Sequence, residues 1–252
     1  MDDQKELLRT VFGESSDSED SDQRRPQDGD AVSVSVWEPI QGIDGLWLCR
    51  DFLSPQQQAS LLASVLNEGW FTEASQNQAM RFGNLPQWAT ELSDSICDAV
   101  IFGDHISESK DLVVSDSGME ACVLPSILLC REPLFDQLIA NAYQPGEGIC
   151  AHVDLMRFED GIAIISLESS CVMHFSQVEE VCDIVEGSEN HPSMKKMPVY
   201  LTPGSLILMS GPARYLWKHE INRKPGFQMW EGQELKQKRR ISITLRKLCQ
   251  VE

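Results

Sequence analysis

Nowhere in the 252 residues is there an apolar run of the roughly 18–20 residues that crosses a bilayer as a helix. The opening, MDDQKELLRT, lacks the basic end and apolar stretch of a secretory signal. The expected location is therefore cytoplasmic or nuclear, with no membrane partner. No two of the eight cysteines stand in CxxC spacing, which excludes the usual zinc frame and argues for reduced thiols. Cys130, Cys150 and Cys171 are expected to be buried in apolar strands. Positive charge is also short, with 21 Lys and Arg against 39 Asp and Glu, a net of −18. That balance works against gripping a nucleic-acid backbone by bulk electrostatics. Its distribution is uneven, however: residues 1–30 hold ten acids and four bases, whereas Lys218 to Lys247 hold nine bases against Glu220, Glu231 and Glu234. Beyond about 8 Å charges are largely screened at physiological salt, so the local sign matters more than the total.

What is present divides the chain in two. GESSDSEDSDQRRPQDGD, residues 13–30, has almost no apolar residue and cannot offset the entropy of ordering. Residues 1–31 are read as a disordered acidic tail and candidate docking element, with a short helix over MDDQKELLRTVF. Residues 32–252 form one folded domain, expected to be monomeric, whose β-core covers about 125–250. LWLCRDFLS reads as a strand leading into a helix. Ser54 suits the N-cap, Pro55 the first turn, and Gln57 completes a capping box. Leu61, Leu62, Val65 and Leu66 make its apolar stripe, which ends near Gly69. A second helix follows Pro86, with Trp88, Leu92, Ile96 and Val100 at every fourth position. Between the two, NQAMRFGNLP reads as a polar loop. From Ser126 onward short β-rich runs (ILLC, IAIISL, CVMHF, VYL, SLILM, ISITL) alternate with turn residues, as in a jelly roll.

The chemistry gathers in NAYQPGEGICAHVDLMRF, residues 141–158. Residues two apart on a strand share a face about 6.5 Å apart along the chain, so His152 and Asp154 can chelate one ion from a single strand. With a second, distant histidine they make a 2-His-1-carboxylate triad, which leaves metal positions open for a cosubstrate and oxygen. The simpler alternative is a buried, hydrogen-bonded His–Asp pair. The third ligand must be His105, His174, His191 or His219. His219 follows the strand signal LTPGSLILMSGPARYLWKHEI, in which alternation sets Tyr215, Trp217, His219 and Ile221 on one face. His174 also sits in a strand and competes with it. In RRISITLRK, Arg240, Ser242, Thr244 and Arg246 share one face and Ile241, Ile243 and Leu245 the other, with Arg239 at the exposed end. Arginines pointing inward are costly without an anion, and a guanidinium fork binds a carboxylate bidentately. The alternative is an amphipathic edge strand with solvated arginines.

These segments resemble the AlkB-like family of Fe(II)/2-oxoglutarate dioxygenases. NAYQPGEGICAHVD resembles the family's N-x-Y-x-x-G-x-x-x-x-x-H-x-D. IISLESSCVMHF and YLTPGSLILMSGPARYLWKHEI resemble its following strands and its distal-histidine strand, and RISITLR resembles the closing R-x-x-x-x-x-R strand. The likeness spans roughly 125–248. It implies an α+β fold, a double-stranded β-helix (jelly-roll) core with N-terminal helices packed on it. It also implies iron(II), 2-oxoglutarate as cosubstrate and molecular oxygen, with oxidative demethylation or hydroxylation as the reaction. By position His152, Asp154 and His219 would hold iron. Asn141 and Tyr143 would contact 2-oxoglutarate, Arg240 would pair with its distal carboxylate, and Arg246 would help hold the keto-acid end. Ser242 stands where the family often has asparagine, which puts its contact in doubt.

The family's substrates include methylated nucleic-acid bases and proteins, and the core motifs do not separate them. Arg81, Phe82 and Arg214 are the candidate substrate contacts, with Phe82 able to stack on an extruded base. Glu159, Asp160 and Glu168 would surround the ligand strand with negative charge. The expected substrate is an alkylated DNA or RNA base; a protein side chain, or a non-catalytic scaffold keeping the fold, are the alternatives.

Overall fold

Residues 36–73, 75–105, 122–178 and 196–250 are described in the computed structural model, all within one compact unit, Val34–Glu252. The acidic tail, His191 and the first residues of the expected domain lie outside them. In chain order the elements are β1 (Val36–Pro39), β2 (Leu46–Cys49), α1 (Pro55–Asn67), β3 (Gln78–Phe82), α2 (Gln87–Phe102) and β4 (Asp104–His105). Next come α3 (Ser126–Leu129), β5 (Gln137–Tyr143), β6 (Ile149–His152), β7 (Ile162–Leu167), β8 (Cys171–Gln177) and β9 (Met197–Leu201). The last are β10 (Leu206–Met209), α4 (Pro212–Tyr215), β11 (Trp217–Ile221), β12 (Met229–Trp230), β13 (Gln233–Glu234) and β14 (Arg240–Arg246).

The strands make a major sheet in the order β3-β5-β14-β7-β10-β2-β1-β4 and a minor sheet in the order β6-β11-β8-β9. Pairing is antiparallel except between β1 and β4. This is the double-stranded β-helix core with the two helices packed on its outside.

β14 shows why the layers form. Ile241, Ile243 and Leu245 join the core shared with α1 and α2, where Leu61, Val65, Ile96 and Val100 are buried. The opposite face of the same sheet joins Ile164, Met173, Phe175 and Ile207 in a second core between the sheets. Each buried aliphatic side chain contributes about 1.5–3 kcal/mol. Those contributions offset the cost of burying Arg240 and Arg246, several kcal/mol per ion, on the strand's other face.

α1 starts as its residues dictate: Ser54 Oγ accepts from the Gln57 amide at 3.3 Å, and Gln57 Oε1 accepts from the Ser54 amide at 2.9 Å. Leu61 and Val65 are buried, Leu62 packs against the core, and Leu66 turns to solvent. α2 is anchored through Trp37, whose indole donates to the Ala99 carbonyl at 2.9 Å. Among the described residues no helix is long and apolar enough to cross a membrane.

Four local expectations are corrected. NQAMRFG is an edge strand, β3, because its backbone finds a partner in β5, whatever its polarity. The run ILLC is helical: Pro125 opens a single turn, α3, and Cys130 ends it. Tyr215 belongs to the turn α4, so β11 begins at Trp217. Cys171 is buried, but Cys130 and Cys150 are exposed, one ending a surface turn and one on the lightly covered β6.

Candidate active site

β6 and β11 pair with His152 directly opposite His219, and their rings lie 4.3 Å apart. Asp154 comes two residues after the end of β6 and turns back toward both, its Oδ2 3.7 Å from His219 Nε2. One ligand atom from each of the three lies within 4.8 Å of the others, the only such cluster among the described residues. His152 Nδ1 is 2.8 Å from the Cys150 carbonyl, which can only accept, so Nδ1 is the donor there and Nε2 is the ring nitrogen left to serve as a ligand. Burial drives the His219 pKa down to about 4, so this imidazole is neutral at pH 7. Burial pushes the Asp154 carboxyl up, but His219, Arg246 and His152 outweigh it and hold the group below its usual range, ionised. Two imidazoles and a carboxylate are the donor set that suits a divalent iron.

The strand register explains the other half of the site. On the inner face of the major sheet, β14 presents Arg240, Ser242, Thr244 and Arg246, β5 presents Asn141 and Tyr143, and β3 presents Gln78. Together with the triad they line one concave, partly open cavity in which polar groups converge among apolar walls, the character of a small-molecule site. Arg240 Nε and Nη2 donate to Ser166 Oγ at 3.0 and 2.8 Å, while Nη1 is buried without a hydrogen-bond partner. A buried cationic donor left over in a polar cavity is a place for a carboxylate. Burial pushes the Tyr143 hydroxyl up despite Arg240, so it stays a neutral donor. Arg246 is placed differently: its Nη1 donates to Asp154 Oδ1 and its Nε to Gln137 Oε1 at 2.6 Å. It therefore orients the ligand carboxylate directly.

The other residues singled out from the sequence divide. Phe82 is exposed on the cavity side of β3, with the Arg157 guanidinium 5.6 Å from its ring centre. Arg81 alternates to the opposite side and packs on Trp70, 4.6 Å from the ring centre. Arg214 does not line the cavity; it is buried, its Nη1 and Nη2 are taken by main-chain carbonyls, and its Nε has no hydrogen-bond partner. Glu159 and Glu168 do not stand as free negative charge, being paired with Arg131 and Arg239, and Asp160 accepts from the Gly211 amide. His174 lies on β8 outside the triad, and His105 on β4 at the far edge of the major sheet.

Four residues were missed. Gln78 donates to Asn141 Oδ1 at 2.7 Å, Gln137 and Ser166 hold the two arginines, and Arg157 stands beside Phe82. A lone serine within IAIISL and a period-two reading of QAMRF were the available signals for Ser166 and Gln78.

Residues 45–246 match the 2OG-Fe(II) oxygenase superfamily. Among curated proteins, the chain is 32% identical over 197 residues to the tRNA (carboxymethyluridine(34)-5-O)-methyltransferase alkbh8 of Xenopus tropicalis, a likeness covering 75% of this chain and 27% of that protein. It is 28% identical over 244 residues to the alkylated DNA repair protein ALKBH8 homolog of Arabidopsis thaliana, covering 88% of this chain and 63% of the relative. The chain thus spans about a quarter of the first relative and under two thirds of the second. Among solved structures, OsALKBH1 superposes with a TM-score of 0.54 at 15% identity, covering 84% of this chain and 99% of that one, a likeness of fold. With the triad, the buried arginine and this match in hand, the chain belongs to the 2OG-Fe(II) oxygenase superfamily, with AlkB-like proteins among its relatives.

Proposed function

We propose that this oxygenase removes or hydroxylates alkyl groups on a nucleic-acid base. His152, Asp154 and His219 hold the iron; Arg240, with Tyr143, Ser242 and Asn141 beside it, takes 2-oxoglutarate, and Arg246 aligns Asp154. When bound, iron(II), 2-oxoglutarate and oxygen supply the oxidation: one oxygen atom goes into succinate as carbon dioxide leaves, and the other into a substrate C–H bond. On an N-methyl group the hydroxylated product breaks down to formaldehyde and the free N–H. The chain's own share is to keep the His219 imidazole neutral, the Asp154 carboxylate ionised and the walls (Ile139, Ile149, Ile164, Met173, Ile221) apolar.

The observation that carries the substrate reading is Phe82, an exposed ring on the same face of β3 as the cavity-lining Gln78, with Arg157 against it. An aromatic with an adjacent guanidinium is a platform for an unstacked base, such stacking being worth about 1–3 kcal/mol. Both curated relatives above are named for work on nucleic acid, which supports the same reading. A methylated protein side chain is the second reading, favoured by the net charge of −18 and the exposed Leu155 and Met156.

The test is succinate and formaldehyde release by iron-loaded protein on methylated oligonucleotides and methyl-lysine peptides. His152→Ala with Asp154→Ala serves as the blank. Stimulation by an oligonucleotide, weakened by Phe82→Ala, supports the proposal. Stimulation by peptides alone moves it to the second reading, and no turnover at all leaves a scaffold.

A further inference from the structure

His152 and His219 are fixed by the β6–β11 ladder, but Asp154 is not, because β6 stops at His152. Something else must set its main chain. Arg214, 1% exposed, reaches it from α4: Nη1 donates to the Asp154 carbonyl at 3.0 Å. Nη2 donates to the carbonyls of Leu155 at 2.8 Å and Phe158 at 3.1 Å. Among the described residues no carboxylate forms an ion pair with this guanidinium. The Tyr215 ring lies against it, 4.8 Å from Cζ to the ring centre, and Nε has no hydrogen-bond partner, so burying this cation is expensive and an apolar side chain of similar size would pack more cheaply. What the arginine supplies, and an apolar residue would not, is a planar fork able to hold three carbonyls of one loop at once. The tie is returned at the loop's other end, where the Asp160 carboxylate accepts from the Gly211 amide at 2.9 Å, just before α4.

We infer that Arg214 is a positioning residue for the metal carboxylate. It locks the Asp154–Phe158 main chain against α4, while Arg246 holds the carboxylate end of Asp154. This rests on the triad reading above. Because the same fork holds Leu155, it also fixes the main chain that carries the exposed Leu155 and Met156, next in the chain after Asp154.

Cobalt(II) binding tests this, with the metal as a probe in place of iron. In Arg214→Lys, a single ammonium cannot hold all three carbonyls. Its cobalt(II) dissociation constant rises by about 10–100-fold, the range for loss of a residue that orients a metal ligand. The visible cobalt spectrum changes with it, which a merely destabilised but correctly set triad would not show. Equal affinity and an unchanged spectrum would overturn the inference. Hydrogen exchange on the unsubstituted protein decides the case in which the variant does not fold. The peptide covering residues 153–160 exchanges as slowly as β6 if it is clamped, and exchange at open-loop rates would overturn the inference. The two failures are distinguishable: no cobalt binding by the unsubstituted protein fells the triad and this inference together, whereas equal binding by protein and variant fells only the clamp.

Discussion

Two nitrogens of Arg240 are bonded to Ser166 and the third is buried with no partner, so this side chain weakens the metal-free fold, and the proposed cosubstrate carboxylate would supply the missing partner. Arg240→Met should therefore raise the KM for 2-oxoglutarate by about 10–150-fold, the equivalent of ~1.5–3 kcal/mol for a charged hydrogen bond. The thermal midpoint of the metal-free protein should be unchanged or higher, since a buried ion is replaced by an apolar chain. Steady-state kinetics and calorimetry check the two halves. His219 gives a pH prediction. Its pKa is about 4 in the fold and ~6.5 when unfolded, so between those values the unfolded chain binds the extra proton. Stability of the metal-free protein therefore falls as pH drops from about 6.5 to 4, by at most ~1.4 kcal/mol per pH unit from this group. Denaturant unfolding across that range reads the slope, and His219→Gln should flatten it. At this scale the sequence was legible where a residue broke a pattern: HVD after a strand signal, and arginines alternating with isoleucines. It was opaque for Arg214 and Gln78, whose roles depend on which main chain or side chain lies across from them.

Among the elements, the β6–β11 pair matters most, because it sets the two histidines face to face. Gly148 stands at its entrance: a Cβ there would come within 2.0 Å of the Ile221 carbonyl. The pair already shifts register between His219 and Ile221, leaving little freedom to absorb the clash. Gly148→Ala should cost about 1–3 kcal/mol by overpacking and weaken metal binding as His152 moves. Unfolding curves and a cobalt(II) titration measure the two effects. Elements with local signals were readable in advance: α1 from its capping box, α2 from its four-residue repeat, β14 from its alternation. β3 was not, because an edge strand needs only one partner and tolerates polar residues, so its sequence resembles a loop. ILLC failed in the opposite sense. Short apolar runs do not separate strand from helix, and Pro125 tipped this one into a turn of helix.

For the molecule as a whole, the order of helices first and strands after, with the four motifs, was enough to anticipate the double-stranded β-helix. Which sheet would carry which half of the site was not, since His152 and Asp154 belong with the minor sheet and Arg240 with the major one. On the proposed assignment, iron and cosubstrate would bridge the two sheets. Manganese(II) and 2-oxoglutarate should then each stabilise the fold by about 2.7 kcal/mol at a hundredfold excess over its own dissociation constant. Arg240→Met should keep the manganese part and lose most of the 2-oxoglutarate part, read as shifts in thermal midpoint. The most direct test of the central claim is the visible charge-transfer absorption that 2-oxoglutarate gives when chelated to ferrous iron, recorded without oxygen. The account predicts that the band appears with the unsubstituted protein, requires both additions, and is lost in His152→Ala. Absence of the band from folded protein saturated with iron(II) and 2-oxoglutarate would contradict it.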